Sequence, residues 1–371
     1  MVPGPEPIAP AATKGSAIQM AAEVYDVVVI GGGAAGLSAA VTLGRARRSV
    51  VVVDAGEPRN APAAGVHGFL TRDGMSPADL VRVGRSEVAS YGGVLRDGQV
   101  VSAERDGTRF TVRTDDGQAV HGRRILVATG LLDELPDVPG LRERWGKDVV
   151  HCPYCHGFEV RDRVIGVLGS GPMAMHQVQL FRQWSPRIVL FRNDVVQPSD
   201  QEWEELAARG ITVVDGVVES VRIEGDAIVG LVLAGGRVIP VDAVAVQPYV
   251  SARADFLKGL DLTATTDPQG LGTFVAADER GLTSTPGVWV AGNVADFMAQ
   301  VVSSAAAGVR TAATINADLV AEEVRLAVAA YRDPFSAASE ARHAERLLGD
   351  RRHGLDQEQG RSGAGGPGPR A

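Results

Sequence analysis

The stretch "YDVVVIGGGAAGLSAAVTLGRARRSVVVVDAG", Tyr25 to Gly56, decides the fold. Its apolar run Val27 to Ile30 suits a strand buried on both faces of a parallel sheet. Gly31-x-Gly33-x-x-Gly36 follows, then an Ala/Leu-rich helical segment. A second apolar run, Val50 to Val53, ends at Asp54. Strand, glycine turn, helix and strand in this order form a dinucleotide-binding unit. The glycines permit a tight turn and close backbone approach, so a pyrophosphate can rest on the helix N-terminus. Asp54 stands at the distance expected of a carboxylate that hydrogen-bonds a ribose. Gly31, Gly33, Gly36 and Asp54 are therefore candidate cofactor ligands.

The same plan recurs in "DRVIGVLGSGPMAMHQVQLFRQWSPRIVLFRND". A strand, Val164 to Leu168, leads into Gly169-x-Gly171-x-x-Ala174, and a strand at Ile188 to Phe191 closes the unit. Arg192 occupies the position that Asp54 holds in the first copy. An arginine there suits a 2′-phosphate, whereas an acid suits a free ribose hydroxyl. Gly169, Gly171, Ala174 and Arg192 are thus candidates for binding NADPH, although bulky Met173, Met175 and His176 crowd the turn. One such turn is weak as a signal; two, each in a full strand–helix–strand setting, are strong.

Between the copies, alternating residues with Asp-Gly turns suggest a small antiparallel sheet, followed by a buried strand, Ile125 to Ala128, that ends at Thr129-Gly130. The scheme repeats after the second copy. A coda then adds a strand, Gly287 to Ala291, a turn at Gly292-Asn293 and a long Ala-rich helix. The expected fold is α/β: two Rossmann-like three-layer nucleotide-binding domains, each with a small antiparallel sheet.

The chain has 371 residues, enough for two domains, with 45% hydrophobic and 22% charged residues. A net charge of −8 and the lack of a basic run with aromatics argue against nucleic acid. No apolar run approaches a membrane span. Residues 1–23 read as a flexible Pro/Ala-rich leader rather than a signal peptide, and the C-terminal "GRSGAGGPGPRA" reads as a disordered tail. A cytoplasmic location is the expectation.

Both cysteines lie in "HCPYCHG", His151 to Gly157. Two cysteines so close would close a loop of little stabilising value, so their pairing reads as chemistry. C-x-x-C-H is also the pattern of haem attachment, but that follows export. Structural zinc wants four ligands in short pairs, and no second Cys pair exists, so no metal site is expected. C-P-Y-C is the redox pair of a glutaredoxin, which carries it early in a small domain. Exchange of electrons with a flavin is the fourth reading, and it suits a position between two nucleotide turns.

Taken together, GGGAAG at Gly31, ATG at Ala128 to Gly130, the CPYC pair, GSGPMA at Gly169 and "GVWVAGNVADFMAQVV" at Gly287 resemble thioredoxin reductase of the low-molecular-weight type. The resemblance covers roughly residues 24–320 and extends to motif order. It implies an FAD domain in two pieces, 24–145 and 268–325, with a nucleotide-binding domain inserted at 146–267; residues 326–371, beyond the resemblance, read as a C-terminal helical extension and disordered tail. The resemblance implies bound FAD, a homodimer, and an inserted domain whose rotation turns the dithiol between flavin and partner. Thr129, Gly130, Gly292, Asn293, Gln300 and Val301 would contact the rest of FAD. Cys155 would face the flavin and Cys152 would exchange with the substrate.

Three residues depart from the family. His156 stands where its members usually carry Asp, Gly292-Asn293 replaces Gly-Asp, and "FRNDVVQPSD" keeps only Arg192 of a basic cluster. The first and third of these, C-x-x-C-H and the reduced basic cluster, resemble a sibling group, the gliotoxin- and holomycin-type flavin dithiol oxidases, which pass electrons from FAD to oxygen. The expected partner is therefore a thioredoxin-like protein, with NADPH as donor, or a small-molecule dithiol. A non-catalytic redox-sensing flavoprotein is the reading from another class.

The reactive form of cysteine is the thiolate, and Pro153 suits the first position of a helix whose backbone dipole would lower a thiol pKa. His156 is placed to move the proton that each thiol must lose or gain. His67 is a further proton-relay candidate. His151 reads as structural, and His121, His343 and His353 as surface residues.

Overall fold

The structure, a computed structural model, describes residues 23–337, 339–341 and 343–344. The expected leader (apart from Glu23), the disordered tail and His353 lie outside these residues. In chain order, the first part comprises β1 (Val24–Ile30), α1 (Ala34–Arg45), β2 (Val50–Asp54), α2 (Pro77–Ser90), β3 (Val94–Asp97), β4 (Val100–Asp106), β5 (Arg109–Thr114), β6 (Ala119–Val127) and β7 (Leu131–Glu134). Next come α3 (Leu141–Arg144), β8 (Val149–Val150), α4 (Pro153–His156), β9 (Ile165–Leu168), α5 (Ala174–Phe181), β10 (Ile188–Phe191), α6 (Asp200–Ala208) and β11 (Thr212–Val214). They are followed by β12 (Val218–Glu224), β13 (Ala227–Leu233), β14 (Val238–Ile239), β15 (Ala243–Val246) and β16 (Tyr249–Ala252). The last part holds a 3-10 turn at Asp255–Leu260, β17 (Thr265–Thr266), β18 (Thr273–Phe274), β19 (Val288–Val290) and α7 (Val301–Arg332).

The first sheet runs β3-β2-β1-β6-β5-β4, and β6 forks: its start pairs with β5 and its end with β19. Strands β3, β2, β1, β6 and β19 are parallel, whereas β5 and β4 fold back antiparallel. Successive side chains of a strand face opposite ways, and the apolar runs serve both faces. Val28, Ile30, Val51 and Val53 pack with Phe110, Val112 and Leu257. Val27, Val29, Val50 and Val52 pack with Leu37 and Leu43 of α1 and with Ile315 and Leu319 of α7. Each fully buried Val or Leu side chain contributes about 1.5–3 kcal/mol. Helix α7 lies against α1 so closely that a Cβ on Gly308 would stand 2.0 Å from the Ala35 carbonyl oxygen. It is also tied to the sheet by Arg124 to Asp318 (2.6 Å) and by Arg123 to Glu322 (2.9 Å).

The second sheet, β11-β10-β9-β15-β8, is wholly parallel. One face packs on α5 and α6 through Val178, Phe181 and Leu206. The other packs on the antiparallel β12-β13-β14 sheet through Val221, Ile228 and Leu231. Both units thus have the layers expected. The chain passes between them along β7 and β16, which pair antiparallel with each other.

Packing assigns two segments differently from the sequence reading. Leu135, Val138 and Leu141 join the core of the second sheet, although the span 24–145 put them with the first. Ala254, Leu257, Leu260 and Leu262 join the core of the first, although 146–267 put them with the second.

Candidate active site

The glycines of the first turn divide the work. Gly31 has φ +105, and a Cβ there would lie 2.4 Å from the Ala128 carbonyl oxygen. Gly36 lets α1 sit on β1, since a Cβ would come within 1.9 Å of the Gly31 carbonyl oxygen. Gly33 caps α1, and nothing lies within 4 Å of where its Cβ would be, so the cradle is open there. Asp54 accepts a hydrogen bond from the Gly32 N–H at 2.8 Å, which fixes its carboxylate beside the turn.

A cavity of about 1630 Å³ runs from this cradle to the cysteines. Gly31, Gly33, Asp54, Thr129, Gly130, Asn293, Gln300 and Val301 line it, together with Cys152, Cys155 and His156. Gly36 and Gly292 stand behind its wall; Gly292 has φ +80 and its Cβ would meet the Ala35 Cβ at 2.9 Å. Asn293 donates from Nδ2 to the carbonyls of Asp296 (3.0 Å) and Ala299 (2.8 Å), bracing the loop that delivers α7 to the cavity.

Cys152 caps α4, and Pro153 holds its first position. Both thiols are free and half-buried. The Cys155 S–H donates to the Cys152 sulfur, and backbone N–H groups of Cys155 and Tyr154 add to this, holding the Cys152 thiol down to about 7. The same contact and burial push the Cys155 thiol well up, since it keeps its proton while Cys152 is the thiolate. His156, next in the chain, has both ring nitrogens buried and without a hydrogen-bond partner among the described residues. Burial lowers its pKa, so it is a neutral ring able to take a proton. His151 also lines the cavity; its Nδ1 lies 3.3 Å from Gln177 Nε2, and burial, aided by the Arg59 charge, holds it down to about 4.

Arg59 is the cation of this region. It grips Asp133 on β7 through Nε (2.9 Å) and Nη2 (2.6 Å), and its charge helps to lower the Cys152 thiol. An Arg59→Gln protein should therefore show its Cys152 alkylation midpoint moved to higher pH, by about half a unit because Asp133 offsets part of the charge. Iodoacetamide rates across pH 5–9 on the reduced protein (~10 points) check this, and an unmoved midpoint rejects it.

The second turn lies apart from the cavity: neither Gly169, Gly171, Ala174 nor Arg192 lines it. Gly169 is a packing glycine, with a Cβ position 2.7 Å from the Phe191 carbonyl oxygen, while the Cβ position of Gly171 is open. Ala174 is buried at the start of α5. Arg192 uses three of its five N–H groups: Nε donates to the Val196 carbonyl (3.0 Å), Nη1 to Asp215 (2.7 Å) and Nη2 to Gln197. Of the crowding residues, Met175 packs on the core and His176 is exposed.

The sequence reading overlooked Arg59 and Asp133, which meet only in the folded chain, and Glu159, whose Oε1 lies 3.6 Å from His67 Nε2. No local motif marks them. His121 is a correction: it is half-buried on β6, where the cross-strand register places its Nδ1 3.1 Å from Thr111 Oγ1. His343 is exposed.

A dinucleotide cradle that shares one cavity with a dithiol lets a flavin and a cysteine pair trade two electrons. Fold and site together define an FAD-dependent disulfide oxidoreductase of the thioredoxin-reductase type. The pyridine nucleotide-disulphide oxidoreductase family matches residues 25–316, and the chain belongs to that family. The thioredoxin reductase sirT of Leptosphaeria maculans is 30% identical over 314 residues, spanning 79% of this chain and 94% of that protein. The thioredoxin reductase tcpT of Claviceps purpurea is 36% identical over 179 residues, and the chain spans only 56% of its length. The crystal structure of HlmI is 48% identical, with a TM-score of 0.78, covering 83% of this chain and 97% of that one.

The residues present fit FAD. The open Cβ position of Gly33, the carboxylate fixed beside it and the N-terminus of α7 line one continuous space that ends at the dithiol. Among the described residues, no group of three His, Cys, Asp or Glu could hold a metal ion, and no helix is long and apolar enough to cross a membrane.

Proposed function

We propose that this enzyme closes a disulfide in a small-molecule dithiol, with dioxygen as the final electron acceptor. The observation that carries this is the state of Arg192. The guanidinium that a 2′-phosphate would need is already bonded to Asp215, Gln197 and the Val196 carbonyl, with Asp194 next but one in the chain. Binding NADPH there would bring its 2′-phosphate beside the Asp215 carboxylate that this guanidinium already holds.

In this reading Gly31, Gly33 and Asp54 hold the pyrophosphate and adenosine ribose of FAD, and Gly36, behind the wall, lets α1 close on β1. Thr129, Gly130, Gly292, Asn293, Gln300 and Val301 shape the remaining site. FAD held there would supply a two-electron acceptor for the dithiol and the link to dioxygen. The chain itself does the sulfur chemistry. A substrate thiolate attacks Cys152 of the oxidised pair, forming a mixed disulfide and releasing Cys155 as its thiolate. The second substrate thiolate attacks the substrate sulfur of that mixed disulfide, which frees Cys152 and closes the substrate ring. His156 takes and returns the protons these thiols exchange.

A second reading has its own support. The open Gly171 and the similarity to the thioredoxin reductases sirT and tcpT favour a reductase in which NADPH supplies electrons that leave through a thioredoxin-like protein. Anaerobic stopped-flow mixing separates the two. Dithiothreitol should bleach the bound flavin promptly, and NADPH at about 1 mM, near the top of the usual KM range, should leave it unbleached. Prompt bleaching by NADPH would reverse the proposal.

A homodimer belongs to the same reading, supported by the exposed stripe Val320, Val324, Val328 and Tyr331 on α7. So do a cytoplasmic location and the division of the chain into an FAD unit and an inserted unit bounded by β7 and β16.

A further inference from the structure

Oxidising a dithiol removes two protons as well as two electrons, and the pair sits half-buried in the cavity wall. His67, also on that wall, stands between two carboxylates. Its Nδ1 lies 3.5 Å from Asp73 Oδ2 and its Nε2 3.6 Å from Glu159 Oε1. The first carboxylate belongs to the same loop, which is clasped by Val66 N–H to the Met75 carbonyl (2.8 Å) and Gly74 N–H to the Val66 carbonyl (2.8 Å). Asp73 is fixed in turn by the Gly68 N–H at 2.9 Å. The second carboxylate comes from the segment that carries the cysteines, three residues beyond His156.

Exposure is least at the inner end of this series and greatest at the outer end, with His67 less exposed than Glu159 before it. The ring nitrogens of His156 are buried. The side chains of His67, Glu159 and Asp73 are 28%, 43% and 67% exposed. The charged groups nearest the dithiol on its other side, Arg59 and Asp133, are bonded to each other and form no such series.

We propose that Glu159 and His67 are positioning residues of a proton path, which carries a proton collected at His156 across to the loop of His67 and out past Asp73. The path rests on the dithiol chemistry of the proposed function; with NADPH as donor the same residues would carry the proton inward, because reducing a disulfide takes protons up. The stoichiometry closes: of the two protons leaving a dithiol, one accompanies the electron pair to the flavin and one goes to solvent. Glu159 raises the proton affinity of His156 against the effect of burial, and a nearby His67 charge lowers it. A proton arriving on His67 therefore favours departure of the next one from His156.

The test uses the FAD-loaded protein, mixed anaerobically with dithiothreitol in weak buffer containing a pH indicator. His67→Ala and Glu159→Gln should each slow proton appearance about tenfold, a modest share of what acid–base groups contribute. Added imidazole should restore the His67→Ala rate, which it would not do for a residue that merely packs. A second readout needs no turnover: with 13C-labelled histidine in the reduced protein, Glu159→Gln should move the His156 titration to lower pH. Wild-type proton release in both variants, an unrescued His67→Ala, or an unmoved His156 titration would overturn the path. Prompt bleaching by NADPH would sink the proposed function and leave this path standing.

Discussion

A Cys155→Ser protein should keep its bound flavin but let dithiothreitol bleach it about a thousandfold more slowly or worse, the scale on which losing one member of a catalytic unit is felt. The reason lies in how the two sulfurs share one proton. Cys152 is held down to about 7 chiefly because the Cys155 thiol donates to it. Serine keeps a donor but cannot form the disulfide, so the electron pair has no route out of the substrate. Alkylation resolves the two sulfurs. Iodoacetamide should label Cys152 first, with a rate that rises through pH 7 and levels off above, because the thiolate is populated only above its pKa. Cys155, pushed well up by its hydrogen bond to Cys152 and by burial, should stay unlabelled over the same range. Full dithiol-driven bleaching in Cys155→Ser, or equal labelling of both sulfurs at pH 7, would break this account.

The largest expected loss of stability lies away from the site. Arg144 and Asp148 form a two-pronged pair, Nε to Oδ1 and Nη2 to Oδ2 at 2.7 Å each, with both side chains only 7% exposed. Asp148 Oδ2 also accepts the Ile228 N–H at 3.1 Å, and the guanidinium reaches Asp226 in the β12–β13 turn. The pair thus fastens the antiparallel layer to the parallel sheet. Asp148→Ala leaves a buried guanidinium whose other carboxylate partner, Asp226, is 82% exposed, and it also strands a buried N–H. Removing one partner of a buried pair costs about 3–5 kcal/mol. The urea midpoint of unfolding should fall accordingly, and a midpoint unchanged from wild type would show that the pair is not buried as described.

How much of this was legible beforehand follows from which interactions are local. The apolar runs Val27 to Ile30 and Ile188 to Phe191 could only be strands buried on both faces, and both are. The turn at Gly31 was readable because its geometry is a matter of backbone alone. Arg192 was placed correctly by counting, but its engagement was hidden: Asp215 follows the next strand and meets it only when β10 and β11 pair. Arg59 and Asp133 are far apart in sequence, and nothing in either neighbourhood marks them as partners. The apolar segment around Leu257 reads equally well as belonging to either unit, because both offer an apolar layer; it was settled by contact with Phe110 and Val112. His121 reads as a surface residue, whereas the strand register gives it Thr111.

The two strands on which the chain leaves the first sheet and comes back, β7 and β16, lie side by side. The cut ends of the first unit are therefore already neighbours, separated by about one strand spacing of 4.7–4.9 Å. A short turn across that gap would rejoin them without disturbing the glycine cradle or α7. The gene segment for the dithiol-bearing unit is in this sense a cassette: it could be lifted out, or exchanged for another, while its host kept an unbroken chain.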